Sequence, residues 1–228
     1  MNNITVLKIG GSFINNQNLH KLKKIVEALK KHNGQQFIIV AGGGQPADFV
    51  RKYDTKVHLK ADSSHFAAIA AMELNAYLLA DYFNDFSFFT FDFNFNKKIN
   101  IFLPLSYYRK FDPLPHSWNV SSDSIALELS QRLRSNNLFL FKQRIIKNNF
   151  KLNVQRAADS KLLDSYFPIL YQQSSESLKS FIIDFKQANN MADLININKS
   201  ELIKDKLSNT KLLNKDTRLR TNSFNLLV

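Results

Sequence analysis

Val6-Leu7-Lys8-Ile9-Gly10-Gly11-Ser12 and, one helix further on, Phe37-Ile38-Ile39-Val40-Ala41-Gly42-Gly43-Gly44 decide how this chain folds. Each opens with a short apolar, β-branched run of the kind that forms a buried strand, and each ends in glycine. Between them Leu19, Leu22, Ile25, Val26 and Leu29 recur at helical spacing with lysines interspersed, and Asn33-Gly34 predicts the stop. A second helix is expected from Pro46, because proline's missing N–H costs nothing in a first turn. Strand, helix, strand, helix in this order defines an α/β protein with a parallel sheet and helices on its faces.

Further along, Asp62-Ser63-Ser64 offers caps for a helix of about twenty residues running through Ala67, Ala70, Ala71, Leu74 and Leu78 to Tyr82. Phe86 to Phe95 predicts a strand or hairpin, its phenylalanines filling the core rather than holding a cofactor. Ile99 to Leu103 predicts another strand, followed by a loop containing Pro104, Pro113 and Pro115. A helix is expected to begin at Ser121-Ser122-Asp123-Ser124, with Ile125, Leu129 and Leu133 on one face, and Leu138 to Phe141 is the next strand. Beyond Lys142 the pattern weakens. Leu162–Leu170, Phe181–Phe185 and Leu194–Ile197 carry apolar runs, and Glu201–Leu207 predicts a helix. Without a repeat or linker, residues 1–228 are expected to form one domain.

Only six glycines occur in the chain, and five of them stand at those two strand ends. Glycine is required where φ is positive or where backbone must approach something closely. At the carboxyl ends of parallel strands, before a helix, it leaves N–H groups able to cradle phosphate oxygens; two tight turns are the alternative. Lys8, inside an otherwise apolar strand, is costly unless its ammonium meets an anion or lies at an edge in solvent. Ser121, Ser122, Asp123 and Ser124 are either helix caps or hydroxyls and N–H groups turned toward an anion, with Asp123 orienting a lysine or a magnesium ion. Asp48 is either a first-turn acid favoured by the helix dipole or a partner for a ligand's ammonium.

The formal charge of +12 comes from lysines spread over helix faces and the C-terminal third, without the aromatic and basic interleaving that marks single-strand binders. No nucleic-acid partner is therefore expected. No apolar stretch approaches the length of about 20 residues that spans a bilayer, which predicts a protein without a membrane-spanning helix. The N-terminus shows no basic n-region and no cleavage site, so a cytoplasmic location is expected. There is no cysteine, which removes disulfides, thiolate nucleophiles and Cys-based zinc sites. The five histidines show no metal-ligand spacing, so no metal site is predicted.

Three segments, Lys8-Ile9-Gly10-Gly11-Ser12, Val40-Ala41-Gly42-Gly43-Gly44 and Ser121-Ser122-Asp123-Ser124-Ile125-Ala126, resemble in order the motifs of the amino acid kinase superfamily. Gly44–Arg51, Ser64–Glu73 and Leu114–Val120 are closer to one branch, the aminomethylfuran phosphate kinases of methanofuran biosynthesis. The resemblance covers roughly residues 4–142. It implies a three-layer αβα sandwich with a mainly parallel sheet, an acceptor side over residues 1–137 and a nucleotide side over residues 138–228. It further implies ATP and Mg²⁺, a phosphorylated small-molecule acceptor and, by analogy, a homo-oligomer. Lys8 and Asp123 would be catalytic. Gly10, Gly11, Ser12, Ser122 and Lys142 would hold the nucleotide, and Gly42, Gly43, Gly44, Asp48, His65 and Ser121 the acceptor. His116 is weighed beside His65. The implied acceptor is already a phosphate, so no general base is required.

The chain departs from the superfamily after its Leu138–Phe141 strand. Lys142-Gln143-Arg144 stands in place of an Asp-Gly loop, and Asn196-Ile197-Asn198 where the furan kinases have a glycine. Two alternatives stay open: a kinase of this fold with another acceptor, or a catalytically silent subunit.

Overall fold

The computed structural model describes residues 3–14, 18–143, 151–184 and 210–215. These form eight strands: β1 (Ile4–Ile9), β2 (Gln36–Ala41), β3 (Ser87–Phe89), β4 (Ile99–Phe102), β5 (Asn137–Lys142), β6 (Lys151–Asn153), β7 (Lys179–Asp184) and β8 (Thr210–Asn214). They make one sheet in the order β3-β4-β2-β1-β5-β7-β8-β6. The first six in that order run parallel, while β8 pairs antiparallel with β7, and β6 runs parallel to β8. The strand order turns back at β1, with β2 on one side and β5 on the other. Such a switch point opens a crevice outside the carboxyl ends of the strands, because the connections on either side leave in opposite directions.

Period-two alternation divides the core into two layers. Ile4 and Val6 of β1, Ile38 and Val40 of β2, and Leu138 and Leu140 of β5 face one cluster. They pack there on α4 (Pro104–Phe111), α5 (Ser122–Arg132), α6 (Val154–Asp159) and α7 (Phe167–Gln172). Leu7 and Ile9, Phe37 and Ile39, and Phe139 and Phe141 face the other, against Leu22, Ile25, Val26 and Leu29 of α1 (Leu19–Lys31). α3 (Ala61–Ala80) serves both layers, with Ile69 and Met72 in the first and Ala76 and Leu79 in the second. α2 (Gly44–Val57) lies against α3. The arrangement is the three-layer αβα sandwich with a mainly parallel sheet.

Several local expectations are corrected. α2 starts at Gly44, two residues before Pro46, which still falls in the first turn. Asp62, Ser63 and Ser64 lie inside α3; Lys60 is its N-cap, and Ser64 Oγ donates back to Ala61 O. α1 ends at Lys31, so Gly34, at φ +73°, turns the chain beyond the helix. The Phe86–Phe95 stretch yields only a three-residue strand, parallel to β4, and its rings pack edge to face on one another without a ladder. Pro104 opens a helix and not a loop, since its ring presets φ for a first turn. Leu194–Ile197, Asn196-Ile197-Asn198, Glu201–Leu207 and Arg144 lie outside the described residues.

Candidate active site

The alternation that builds the core also places the charges. Lys8 follows Ile4 and Val6 on the face of β1 that looks at α5, and Lys142 follows Leu138 and Leu140 on the same face of β5. The two lysines therefore emerge side by side at the ends of the two central strands, under the N-terminus of α5. Ser121 caps that helix, its Oγ accepting from the Asp123 N–H at 3.3 Å. Asp123, in the first turn, drops between the lysines. Its Oδ1 lies 3.0 Å from Lys8 Nζ and its Oδ2 2.5 Å from Lys142 Nζ. Lys8 is 6% exposed and Asp123 3%, so the edge-in-solvent reading of Lys8 falls away.

Burial by itself drives the Asp123 carboxyl up, but the ammoniums of Lys142 and Lys8 outweigh it and hold the group at about 2. Lys142 is held below its ordinary value by burial, with Asp123 pulling the other way and Lys8 adding repulsion. The cluster carries two cations on one anion in a dry pocket. An approaching phosphate oxygen would complete it. Asp184 continues the same face of β7 and sits opposite Lys142 in the strand register.

Asp164, from the turn before α7, reaches the same helix end. Its Oδ2 accepts from Ser121 N at 2.9 Å, Ser121 Oγ at 2.7 Å and Ser124 N at 3.0 Å, and its Oδ1 from Ser124 Oγ at 2.6 Å and Phe167 N at 2.9 Å. One carboxylate thus satisfies donors at the starts of α5 and α7 together. The Ser121 hydroxyl expected to face a ligand donates to this acid.

The two glycine turns lie against each other. A Cβ on Gly11 would come within 2.4 Å of Gly44 N, 2.5 Å of Gly42 O and 2.6 Å of Asn75 Nδ2, and one on Gly42 within 2.8 Å of Gly11 N. Gly44 also has φ +50°. Backbone packs on backbone here, so the tight-turn reading accounts for these positions. Asn75 holds the second turn from below, its Nδ2 donating to Gly42 O at 2.7 Å and Gly43 O at 2.8 Å. Ser12 is exposed on the turn after β1, and its carbonyl accepts from Gln143 Nε2 at 3.3 Å.

Beside the lysine pair opens a cleft of about 180 Å³ lined by Gly43, Gly44, Asp48, His65, Ser121 and Ser122, and also by Arg51, Met72 and Trp118. Ser121 and Ser122 precede Asp123 directly, so the cleft and the lysine pair share a wall. Trp118 is pinned by Nε1 donating to Asp54 Oδ2 at 2.6 Å, and the Arg51 guanidinium lies 4.7 Å from its ring centre. Of the expected residues, Lys8, Asp123 and Lys142 form the charged junction. Gly42–Gly44, Asp48, His65, Ser121 and Ser122 gather at or beside the cleft, and Gly10, Gly11 and Ser12 lie on the far side of the glycine contact.

Sequence reasoning missed Asn75, Arg51, Trp118, Asp164 and Asp184. A lone amide in an Ala- and Leu-rich helix was a usable signal for Asn75. No local pattern points to Asp164, which arrives from another part of the chain.

A mainly parallel sheet with two buried lysines sharing one aspartate at its switch point fits a phosphotransferase of small molecules. Residues 3–143 match the family described as "Amino acid kinase family", and the chain belongs to it. It is 29% identical over 205 residues to "[5-(aminomethyl)furan-3-yl]methyl phosphate kinase" of Methanocaldococcus jannaschii, covering 83% of this chain and 92% of that one. Among solved structures, the UMP kinase of Ureaplasma parvum superposes with a TM-score of 0.64 at 13% identity, over 93% of this chain and 96% of its own. Uridylate kinase of Archaeoglobus fulgidus gives 0.59 at 15% identity, over 83% and 95%. These two likenesses show the fold.

Proposed function

We propose that the chain transfers the γ-phosphoryl group of ATP to the phosphate of 5-(aminomethyl)furan-3-ylmethyl phosphate, giving ADP and a diphosphate, in the cytoplasm. The observation that carries this reading is the convergence of Lys8 and Lys142 on buried Asp123, one wall away from a cleft of small-molecule size. The bond from the γ-phosphorus to the β,γ-bridging oxygen breaks as one forms to an acceptor phosphate oxygen. That oxygen is already an anion, so no side chain needs to remove a proton, and catalysis rests on position and charge.

Lys8, two residues before Gly10, would stabilise charge on the transferred group, while Lys142 with Gly10, Gly11, Ser12 and Ser122 would face the donor phosphates. Asp123 keeps both ammoniums aimed and offsets their mutual repulsion. Gly42–Gly44, His65 and Ser121 would bound the acceptor, with Asp48 at the exposed mouth pairing its ammonium. In one domain, residues 138–228 would form the nucleotide side and 1–137 the acceptor side, with Gly10–Ser12 and Ser122 reaching the donor phosphates from the latter. Asp123 and Asp184 are hard oxygen donors of the kind Mg²⁺ takes. Held there, such an ion would supply positive charge to offset that of the phosphate oxygens.

Phosphate transfer from ATP to a panel of monophosphate and carboxylate acceptors tests the reading. Lys8→Ala is expected to lower kcat by about 10²-fold or more while leaving the circular dichroism spectrum unchanged. Transfer untouched by this substitution overturns the role of Lys8. Absence of ATP binding would favour the silent subunit, and preference for a different acceptor the other kinase reading.

We further propose self-association through the outer face of α3. Leu74, Tyr77 and Leu78 are each about half exposed at helical spacing, with the Phe88 ring 4.9 Å from that of Tyr77. Such a row of large apolar side chains favours cover by a second copy. Light scattering is expected to give at least twice the chain mass, falling to one chain in Tyr77→Glu; a monomeric wild type refutes it.

A further inference from the structure

Behind the cleft wall lies a second cluster, of which only His65 borders the cleft. It draws on three places: Asp62 and His65 in the first turns of α3, Asp112 just past the end of α4, and His116 in the loop leading to Trp118. Asp112 Oδ1 is 2.8 Å from His116 Nε2 and 3.8 Å from His65 Nε2. Ligand atoms of His65, Asp112 and His116 all lie within 4.8 Å of one another. On its other side, His116 Nδ1 meets Asp62 Oδ1 at 2.6 Å. The His65 side chain is only 5% exposed, and its Nε2 is shut from solvent without a hydrogen-bond partner.

We propose that His65, Asp112 and His116 bind one divalent transition-metal ion of the zinc type, separate from any Mg²⁺ that accompanies the nucleotide. Ligands about 2.0–2.2 Å from a tetrahedral ion stand about 3.3 Å from one another, and the two distances to Asp112 Oδ1 bracket that spacing. The tautomer agrees. With Nδ1–H donated to Asp62, the His116 Nε2 lone pair would face the Asp112 carboxylate, a contact relieved either by a second proton or by a metal ion. Carboxylate, histidine and metal in line is the usual way a ligating imidazole is oriented.

A proton on His116 would serve that contact and leave His65 Nε2 buried and unpaired, which is costly. A metal ion serves all three groups. The charges of Asp62 and Asp112 balance a divalent ion when both imidazoles are neutral. The two rings stack with centres 4.0 Å apart and planes 18° apart, and both Nε2 atoms face the same carboxylate oxygen. Coordination requires one ring to rotate out of the stack, so that both in-plane lone pairs point at the same ion. Two imidazoles and one carboxylate leave a fourth position for water. An ion there would lock α3, the end of α4 and the loop bearing Trp118 into one wall, independently of which acceptor the cleft takes.

The test uses the untagged full chain, stripped with chelator and titrated with Zn²⁺ by calorimetry and with Co²⁺ by visible absorption. One equivalent is expected to bind, with Co²⁺ showing the d–d bands of nitrogen and oxygen coordination. Asp112→Asn and His65→Gln should each weaken binding by about 10–100-fold. Asp112 has φ +42°, a conformation that asparagine also accepts, so Asp112→Asn is expected to keep the fold in chelator, as circular dichroism would report. No saturable binding at submillimolar metal, or an affinity unchanged in both variants, overturns the proposal and leaves a protonated His116 bridging Asp62 and Asp112.

Discussion

Asp123→Asn is expected to lower kcat by about 10²–10³-fold and to lower stability at neutral pH as well, so turnover is compared where circular dichroism shows the variant folded. The substitution keeps the shape of the side chain and removes its charge, so two buried ammoniums on neighbouring strands are left facing each other. Lys142, already held low by burial, loses the carboxylate that pulls it up. Residual activity of the variant should therefore fall away on the alkaline side at lower pH than in wild type. Wild-type kcat in Asp123→Asn would remove the junction from the mechanism.

The same group sets an acid limit on stability. Its folded value, about 2, lies below the ordinary carboxylate value of 3.8. The stabilisation is thus fully present above the ordinary value and is lost as pH falls through about 2. Denaturant midpoints measured down that range should drop for the wild type, and Asp123→Asn should flatten that part of the profile.

Gly11→Ala is expected to cost about 3 kcal/mol or more, lowering Tm sharply or preventing soluble expression. The added methyl would meet the Gly44 nitrogen at 2.4 Å and the Gly42 carbonyl at 2.5 Å, backbone atoms fixed by β2 and by Asn75. Neither side can retreat without separating β1 from β2 at the crevice. Gly34→Ala is the informative control. Gly34 has φ +73° and nothing within 4 Å of a Cβ, so it should cost only the about 1–2 kcal/mol of a left-handed residue. Equal losses at the two positions would show that backbone strain, and not the contact between the turns, governs Gly11.

Much of the site was legible in outline. Lys8 stands out because a lysine in a buried strand needs an anion, and the clustering of five glycines at two strand ends marked the crevice. Yet the reason for those glycines was only half read: Gly11, Gly42 and Gly44 are there because one turn packs on the other. Helix starts were the least legible. Asp62-Ser63-Ser64 has the composition of a cap but sits inside α3, and Pro104 reads as a loop residue but opens α4, because neighbours in space override local preference.

Periodicity along the chain determined the parallel core and the face on which each lysine of β1 and β5 emerges, since alternation is a local property of a strand. Only the tertiary structure decided that those lysines share Asp123, that Asp164 crosses over to hold the starts of α5 and α7, and that His65, Asp112 and His116 meet behind the cleft. Such meetings depend on strand order and on which helix end lies over which strand. Those are set by how the whole core packs, and no single segment encodes them.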